Sequence, residues 1–492
     1  MKARWDWGVL AAWITGLVII RASRLVERDP YWQARDGSER WAGMPLSRAD
    51  AWSWAQPSGT FRPTSPAWNT ALGLGYDALG FAGIAVVGAV GLLAYFVVAL
   101  VLARWLGSRP LPALVATAGV ALLALPLLSP RATTAVEALL LTTIALGYAL
   151  LVRPLRTGWR LVAVVALGGL ALGWGGAWLH VSWSVTAVGL AVALPLAALL
   201  AGAPRWRLTL TAVAGLGIAL GSTFGPYGWS VWQLLTEISA ASDGQVVEWM
   251  SPLADGPRTR WLPIAIAVLT LALACVLRVA RQRPGAPGSR ERARWALEVI
   301  LLGGSLAAAL AGFVAIRFLG VAALTLLPVL AAEISVSTAK WRANPDRSGA
   351  LRSRLEAAYW RPILTGAIVI LLPVALVASH DPGRPDPEAE IMADLPHGCR
   401  LFATADAAGV TLLLRTDVKV WIDMRTEVYG ADAIAESTRR LGDLSDVALP
   451  EGTTCAILPR DTKGVRSDGS PQVWNQLRPV GPMAVWLPGA GA

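Results

Sequence analysis

Two carboxylates separated by one residue, Glu27 and Asp29, follow the first long apolar run of the chain in the stretch RLVERDPYWQARDG. A third, Asp50, stands further on in MPLSRADAWSWAQPSG. Next to a membrane surface such a carboxylate is partly desolvated, which suits it to take a proton from a hydroxyl as a general base. With a second acid beside it, Glu27 or Asp50, it can be oriented for that task or help hold a divalent cation such as Mg or Mn. The plainer reading is a set of loop acids paired with Arg24 or Arg28. A second group of residues suits an anion. Arg317 sits in a very short turn, AIRFLG, between two apolar runs, where a guanidinium needs a partner or must snorkel to the headgroups. Arg131, after LLSP, is a weaker version of the same placement. His180 lies among Trp174, Trp178 and Trp183 at the end of another run, either an interface anchor or a polar tip beside rings that stack on a sugar. Tyr227 and Glu248 fall in the loop 225–260 and are candidates for a cavity rim.

The elements that carry these residues are membrane spans. Of 492 residues, 55% are hydrophobic and 15% charged, which excludes a soluble fold. Apolar runs long enough to cross a bilayer lie near 6–21, 79–103, 110–128, 133–152, 161–179, 183–203, 208–224, 261–280, 295–315, 318–336 and 362–379. The net charge of +10 is confined largely to short loops between them, and the loops on one side hold about twice the Lys and Arg of the other. That bias places the N-terminus inside and the tail outside. The first run has no small-residue cleavage site after GLVIIRASRL and reads as a retained anchor. The basic segment 340–361, with aromatics interleaved, lies between two runs and reads as a helix on anionic lipid rather than a nucleic-acid binder. No internal repeat stands out.

Two domains are expected. Residues 1–379 form the transmembrane part, with a long external loop at 22–78 whose Trp32, Trp41, Trp52, Trp54 and Trp68 read mostly as an interfacial aromatic belt. Residues 380–492 begin with the Pro-rich acidic HDPGRPDPEAE and continue as a small α/β domain. Its strands are expected at 399–404, 418–423, 455–460 and 483–488, and its helices near 405–415 and 431–441. Cys275 reads as a buried apolar residue; Cys399 and Cys455, both in the tail, either pair or stay as isolated thiols. No Cys/His spacing resembles a zinc site. Asp423, Arg425 and Tyr429 follow the second tail strand, where a structural ion pair is favoured over a crevice lining.

Several stretches, in order, resemble the GT-C superfamily of polytopic membrane glycosyltransferases: DPYWQARDG…PLSRADAWSW, WGGAWLHVSW at 174–183, GPYGW…EWMSP at 225–252, and VKVWIDMRTEVYG at 418–430. An acidic motif in the first external loop, about eleven spans and an external C-terminal domain are similar to that family as well. Arg28, between the two acids, is a departure from its pattern. The resemblance implies transfer of a hexosyl or pentosyl unit from a polyprenyl-phosphate-linked donor to an envelope glycan, lipid or protein acceptor, on the outer face of the cytoplasmic membrane. It implies Asp29 as base, Glu27 or Asp50 beside it, Arg317 on the phosphate, and no nucleic acid among the partners. The alternative is a non-catalytic transporter or assembly partner for cell-envelope polymers. A transporter needs ionisable groups in mid-span, and Glu137, Glu298 and Glu333 are expected near span ends instead.

Overall fold

The computed structural model describes residues 2–25, 27–55, 59–124, 129–242, 246–254, 257–343, 371, 374–375, 380–442, 445–468 and 470–489. The chain divides into two compact units. One comprises Met1–Ser23, Gly88–Gly228 and Val247–His380, the other Arg24–Val87, Trp229–Val246 and Asp381–Ala492. The first loop belongs with the tail.

The first unit is a helix bundle. Its helices are α1 (Lys2–Ser23), and, after α2 (Asp29–Trp41) and α3 (Pro66–Leu79) of the second unit, most of α4 (Phe81–Trp105). They continue with α5 (Pro110–Ala124), α6 (Ala132–Val152), α7 (Trp159–Leu179), α8 (Trp183–Leu200) and α9 (Arg205–Thr223). After α10 (Val231–Ser242) come α11 (Leu262–Ala280), α12 (Arg290–Ala311) and α13 (Phe318–Ala343). Among the described residues eight helices are long and apolar enough to cross a membrane, or nine if Arg205–Thr223 and the bent segment after it make one broken span. These eight correspond to eight of the expected runs. Of the other three, 110–128 appears as a shorter apolar helix, 208–224 as that bent pair, and 362–379 lies largely outside the described residues.

Bundle packing is close because small residues permit it. Gly173 on α7 lies against the carbonyl of Ile218 on α9, and Gly221 against that of Leu170, so any Cβ at either position meets backbone. Where apolar side chains meet lipid as readily as each other, such close backbone approach supplies the dispersion contacts that hold helices together. The start of α12 is fixed locally: the Ser289 hydroxyl accepts the Arg292 N–H at 3.2 Å, and Glu291 in the first turn complements the helix dipole.

The second unit is built on a seven-stranded sheet. Its strands are β3 (Arg400–Ala403), β4 (Lys419–Val420), β5 (Val447–Leu449), β6 (Cys455–Pro459), β7 (Val465–Ser467), β8 (Ser470–Val480) and β9 (Met483–Pro488), following the short hairpin β1 (Arg48–Ala49) and β2 (Thr60–Phe61). Spatial order is β4-β3-β6-β9-β8-β7-β5, with β4, β3 and β6 mutually parallel and β6, β9, β8 and β7 antiparallel in turn. Four strands were expected, and all four are present within a few residues. Strands β5, β7 and β8 were not expected: β8 carries Pro, Gln and Asn in the run SPQVWNQLRPV, which hides its extended form behind polar composition. Gly481, at φ +57°, makes the tight reversal into β9. The expected helix 405–415 is α14 (Ala405–Leu414), begun by the Thr404 hydroxyl accepting the Ala407 N–H. The helix expected near 431–441 is α15 (Thr426–Leu441), which starts a turn earlier and kinks at Gly430, φ +74°.

The first loop closes this sheet. Val420 donates its N–H to the Trp52 carbonyl at 3.0 Å and receives the Trp54 N–H at 3.0 Å, so residues 52–54 run as a further strand along β4. Trp32, Trp52 and Phe61 lie in the same core as Leu401, Leu412, Ile422 and Val485. The aromatic-belt reading of Trp32, Trp52 and Trp68 is corrected by this burial: they are 4%, 4% and 5% exposed, whereas Trp41 is 69% exposed. A strand edge that needed covering and a sheet face that needed apolar cover recruited them. Cys399 and Cys455 form a disulfide, Cα atoms 6.0 Å apart, across the β3–β6 pair.

Candidate active site

Asp29 is the first residue of α2, with Pro30 after it setting the helical start. Its Oδ1 accepts the indole N–H of Trp32, one turn on, at 3.0 Å, and the carboxyl is half-buried. Arg28, between the two acids, does not neutralise them through its fork. Its Nε and one terminal nitrogen donate to Glu388 at 3.1–3.2 Å, and the other donates to the Leu25 carbonyl. Glu27 is half-buried at the same turn.

Asp50 has a different environment. Its Oδ1 receives Arg425 at 2.8 Å, and Arg425 also binds Asp423 through Nε at 2.9 and 3.0 Å and a terminal nitrogen at 2.7 Å. Tyr429 donates to Asp423 at 2.6 Å and lies 3.0 Å from the guanidinium. The Arg425 side chain is 0% exposed, and those of Asp50 and Asp423 are 1% and 0%. Trp52 and Phe61 stack on the guanidinium at 4.6 and 4.8 Å. Asp50 thus serves to pin the first loop to the tail. The structural role favoured for Asp423, Arg425 and Tyr429 agrees with this geometry. A third network, which the sequence did not single out, joins Asp36 and Glu39 of α2 to Arg48 at 2.9 and 3.1 Å, with Asn69 of α3 donating to Asp36 at 2.8 Å.

In the first unit the sequence candidates for an anion site come together. Arg131, just before α6, grips Glu248 with both terminal nitrogens, at 2.8 and 2.7 Å. Burial raises the Glu248 carboxyl, but the charges of Arg131 and Arg317 outweigh it and hold the group below its ordinary range. Arg317, between α12 and α13, donates its backbone N–H to the Glu248 carbonyl at 3.0 Å and lays its guanidinium over Trp249 at 4.3 Å. Among the described residues no acceptor lies within hydrogen-bond reach of that guanidinium. His180 closes α7 and accepts the Ser182 backbone N–H on Nδ1 at 3.0 Å, so its hydrogen is on Nε2. Lost hydration and the charges of Arg317 and Arg131 push its imidazole down to about 3, which keeps it neutral. Tyr227 is half-buried in the turn after α9. Trp249 was not named as a site residue, although it stands in the EWMSP stretch that carried the resemblance.

Among the described residues no group of three or more His, Cys, Asp or Glu side chains is placed to hold a metal ion. At that turn Glu27 and Asp29 supply two carboxylates, so a divalent cation held there would draw its remaining oxygen ligands from substrate or water.

No protein-family model matches the chain, and no curated protein does. Among solved structures it is similar to the archaeal oligosaccharyltransferase AglB from Archaeoglobus fulgidus in complex with an inhibitory peptide and a dolichol-phosphate. There the TM-score is 0.48 and the identity 14%, over 93% of this chain and 70% of that one. It is also similar to ArnT from Cupriavidus metallidurans, both bound to undecaprenyl phosphate (TM-score 0.46, 17% identity, 99% and 98% of the two chains) and in the apo state (0.45, 16%, the same coverage).

Proposed function

We propose that the protein is a membrane glycosyltransferase that moves a sugar from a polyprenyl-phosphate carrier to an envelope glycan, lipid or protein on the outer face, with its N-terminus inside and its tail outside. The observation that carries this reading is the Arg317 guanidinium. It is stacked on Trp249, next to a neutral imidazole and a second Arg, and has no protein acceptor among the described residues. A guanidinium held in place without a carboxylate is a ready fork for a phosphate.

The chemistry follows from the parts. The carrier phosphate is both the anchor of the donor and its leaving group. Arg317 takes the phosphate oxygens, and the His180 Nε2–H adds a neutral donor as charge grows on the departing oxygen. Arg131 is already bonded to Glu248 and sets the field rather than the contact. In the other unit, the resemblance makes Asp29 the base that removes the proton of the acceptor hydroxyl, with Glu27 shaping the field around that carboxylate. The transporter alternative needs acids in mid-span that lack fixed partners. The three acids lie inside helices rather than near span ends. Glu333 of α13 binds Arg278 of α11 at 2.6 Å and Gln282 at 2.8 Å, and Glu298 faces Arg294 one turn away on α12 at 3.3 Å. In α6 the Glu137 Oε2 is buried without a hydrogen-bond partner, the one feature among the described residues that favours the alternative.

Binding of undecaprenyl phosphate to the full-length protein in nanodiscs tests the Arg317 assignment. Arg317→Ala is expected to weaken it about 30-fold or more, and Arg317→Lys less, because one ammonium replaces a fork. Unchanged affinity in both variants rules the assignment out.

A further inference from the structure

A cavity at the basic end of the helix bundle has no part in the reading above. It encloses about 180 Å³, against the roughly 10–15 Å³ that one water needs, and every residue lining it belongs to the first unit. Leu151 of α6, Ala201 just after α8 and Ala293 of α12, all buried, make its apolar wall. Arg207 of α9 supplies the charge. Its half-buried guanidinium lies over the Trp206 ring at 4.9 Å and donates to the Arg153 carbonyl at 3.0 Å. Among the described residues no carboxylate pairs with it. The acids of this end are engaged elsewhere: Glu298 faces Arg294, and Glu291 folds over Gly285. Backbone contacts hold the cavity in shape. Gly288 donates its N–H to the Ala201 carbonyl at 2.9 Å, and the Arg292 side chain reaches the Leu200 carbonyl at 2.9 Å. Gly202 is left-handed, φ +60°, and a Cβ there would stand 2.8 Å from Pro287, so the α8–α9 and α11–α12 turns close on each other.

We propose that this cavity binds the headgroup phosphate of an anionic phospholipid, in the leaflet on the N-terminal side of the bundle. It depends on neither Asp29 nor Arg317. The Arg207 fork, uncommitted to any carboxylate, matches two phosphate oxygens. Ser289 and Pro204, which also line the cavity, cap α12 and α9, so the positive ends of two helix dipoles add to the field of the guanidinium. The apolar wall separates a lipid from a free anion. Inorganic phosphate leaves Leu151, Ala201 and Ala293 uncovered, whereas the glycerol carbons and first methylenes of a phospholipid cover them. Leu196 and Leu199, in the last turns of α8 before Ala201, are 42% and 59% exposed and continue that apolar surface toward the acyl chains. The exposed Arg153, Arg205 and Arg290 around the cavity select against a zwitterionic headgroup, which brings an ammonium of its own.

The test uses full-length protein in detergent, titrated with phosphatidylglycerol or phosphatidylcholine and read by native mass spectrometry as bound lipid. Phosphatidylglycerol should bind the wild type about tenfold or more tightly than phosphatidylcholine. Arg207→Gln should lose about tenfold or more of that affinity, because it removes the fork. Arg205→Gln, an equal loss of charge at an exposed position outside the cavity, should change it less than about twofold. Ala203→Leu fills the cavity without touching a charge and should also weaken binding; should it fail to fold, Arg207→Gln against Arg205→Gln decides the matter. Equal losses in the two arginine variants would overturn the site in favour of general attraction by the basic surface. Equal binding of the two lipids would overturn the anionic selection. Displacement of phosphatidylglycerol by millimolar inorganic phosphate would assign the cavity to a free anion and overturn the lipid. The same measurements on Arg317→Ala should match wild type, which keeps this result separate from the fate of the donor site.

Discussion

Replacing Arg425 by Met leaves two carboxylates, Asp50 and Asp423, buried with 1% and 0% side-chain exposure and no cation between them. Removing one partner of a buried ion pair costs about 3–5 kcal/mol, because the other charge stays desolvated. Here one Arg serves two acids and a Tyr and carries the stacking of Trp52 and Phe61, so the upper half of that range applies. For a unit of some 150–250 residues each kcal/mol moves the melting temperature by about 2–4 °C, which gives a fall of about 8–20 °C. The assay is tryptophan fluorescence of the full-length protein in detergent during heating, since Trp32 and Trp52 sit in the core that would open. Arg425→Lys keeps the charge but loses the fork and should fall between wild type and Met. Adding Asp50→Asn and Asp423→Asn to Arg425→Met should recover much of the loss, because no orphan charge then remains. A shift below about 2 °C for Arg425→Met, or no recovery in the triple variant, would refute the view that this ion cluster fastens the first loop to the tail.

Opening the Cys399–Cys455 bridge frees a loop of 56 residues' separation and should cost about 4 kcal/mol by chain entropy, read as a lower melting temperature of the Cys399→Ser/Cys455→Ser variant. The Asp417 carboxyl is held well below its usual range by the Arg415 fork and by the Gly398 N–H. A depressed carboxylate contributes stability above its unfolded pKa of about 4 and loses it as pH falls through the lower folded value. The melting-temperature gap between wild type and Asp417→Asn should therefore be full near neutrality and shrink on acidification.

The parts legible in the sequence are those whose signal is local. Eight spans follow from run length and hydropathy, and β3, β6 and β9 from short apolar strands bounded by turns. Contacts made between distant stretches leave no such trace. Asp50 and Arg425 lie 375 positions apart, and nothing in ADAWSW says that its Trp fills a core built from residues beyond 390. Interfacial and core Trp look alike in sequence because both follow an apolar run. Strand β8 escaped because its polar residues resemble a loop. The candidate site divided the same way. Arg131, Arg317 and His180 were each singled out by an unusual position at a span end and Glu248 by its place in the loop 225–260, but their convergence required the fold.

The central claim is that Asp29 accepts the proton of an incoming hydroxyl during transfer from a lipid-linked sugar. Membranes holding equal amounts of wild type and Asp29→Asn are given radiolabelled polyprenyl-phosphate sugars, and incorporation into acceptor is measured. The account predicts a fall of about 100-fold or more in the variant with protein level and insertion unchanged; incorporation equal to wild type would contradict it.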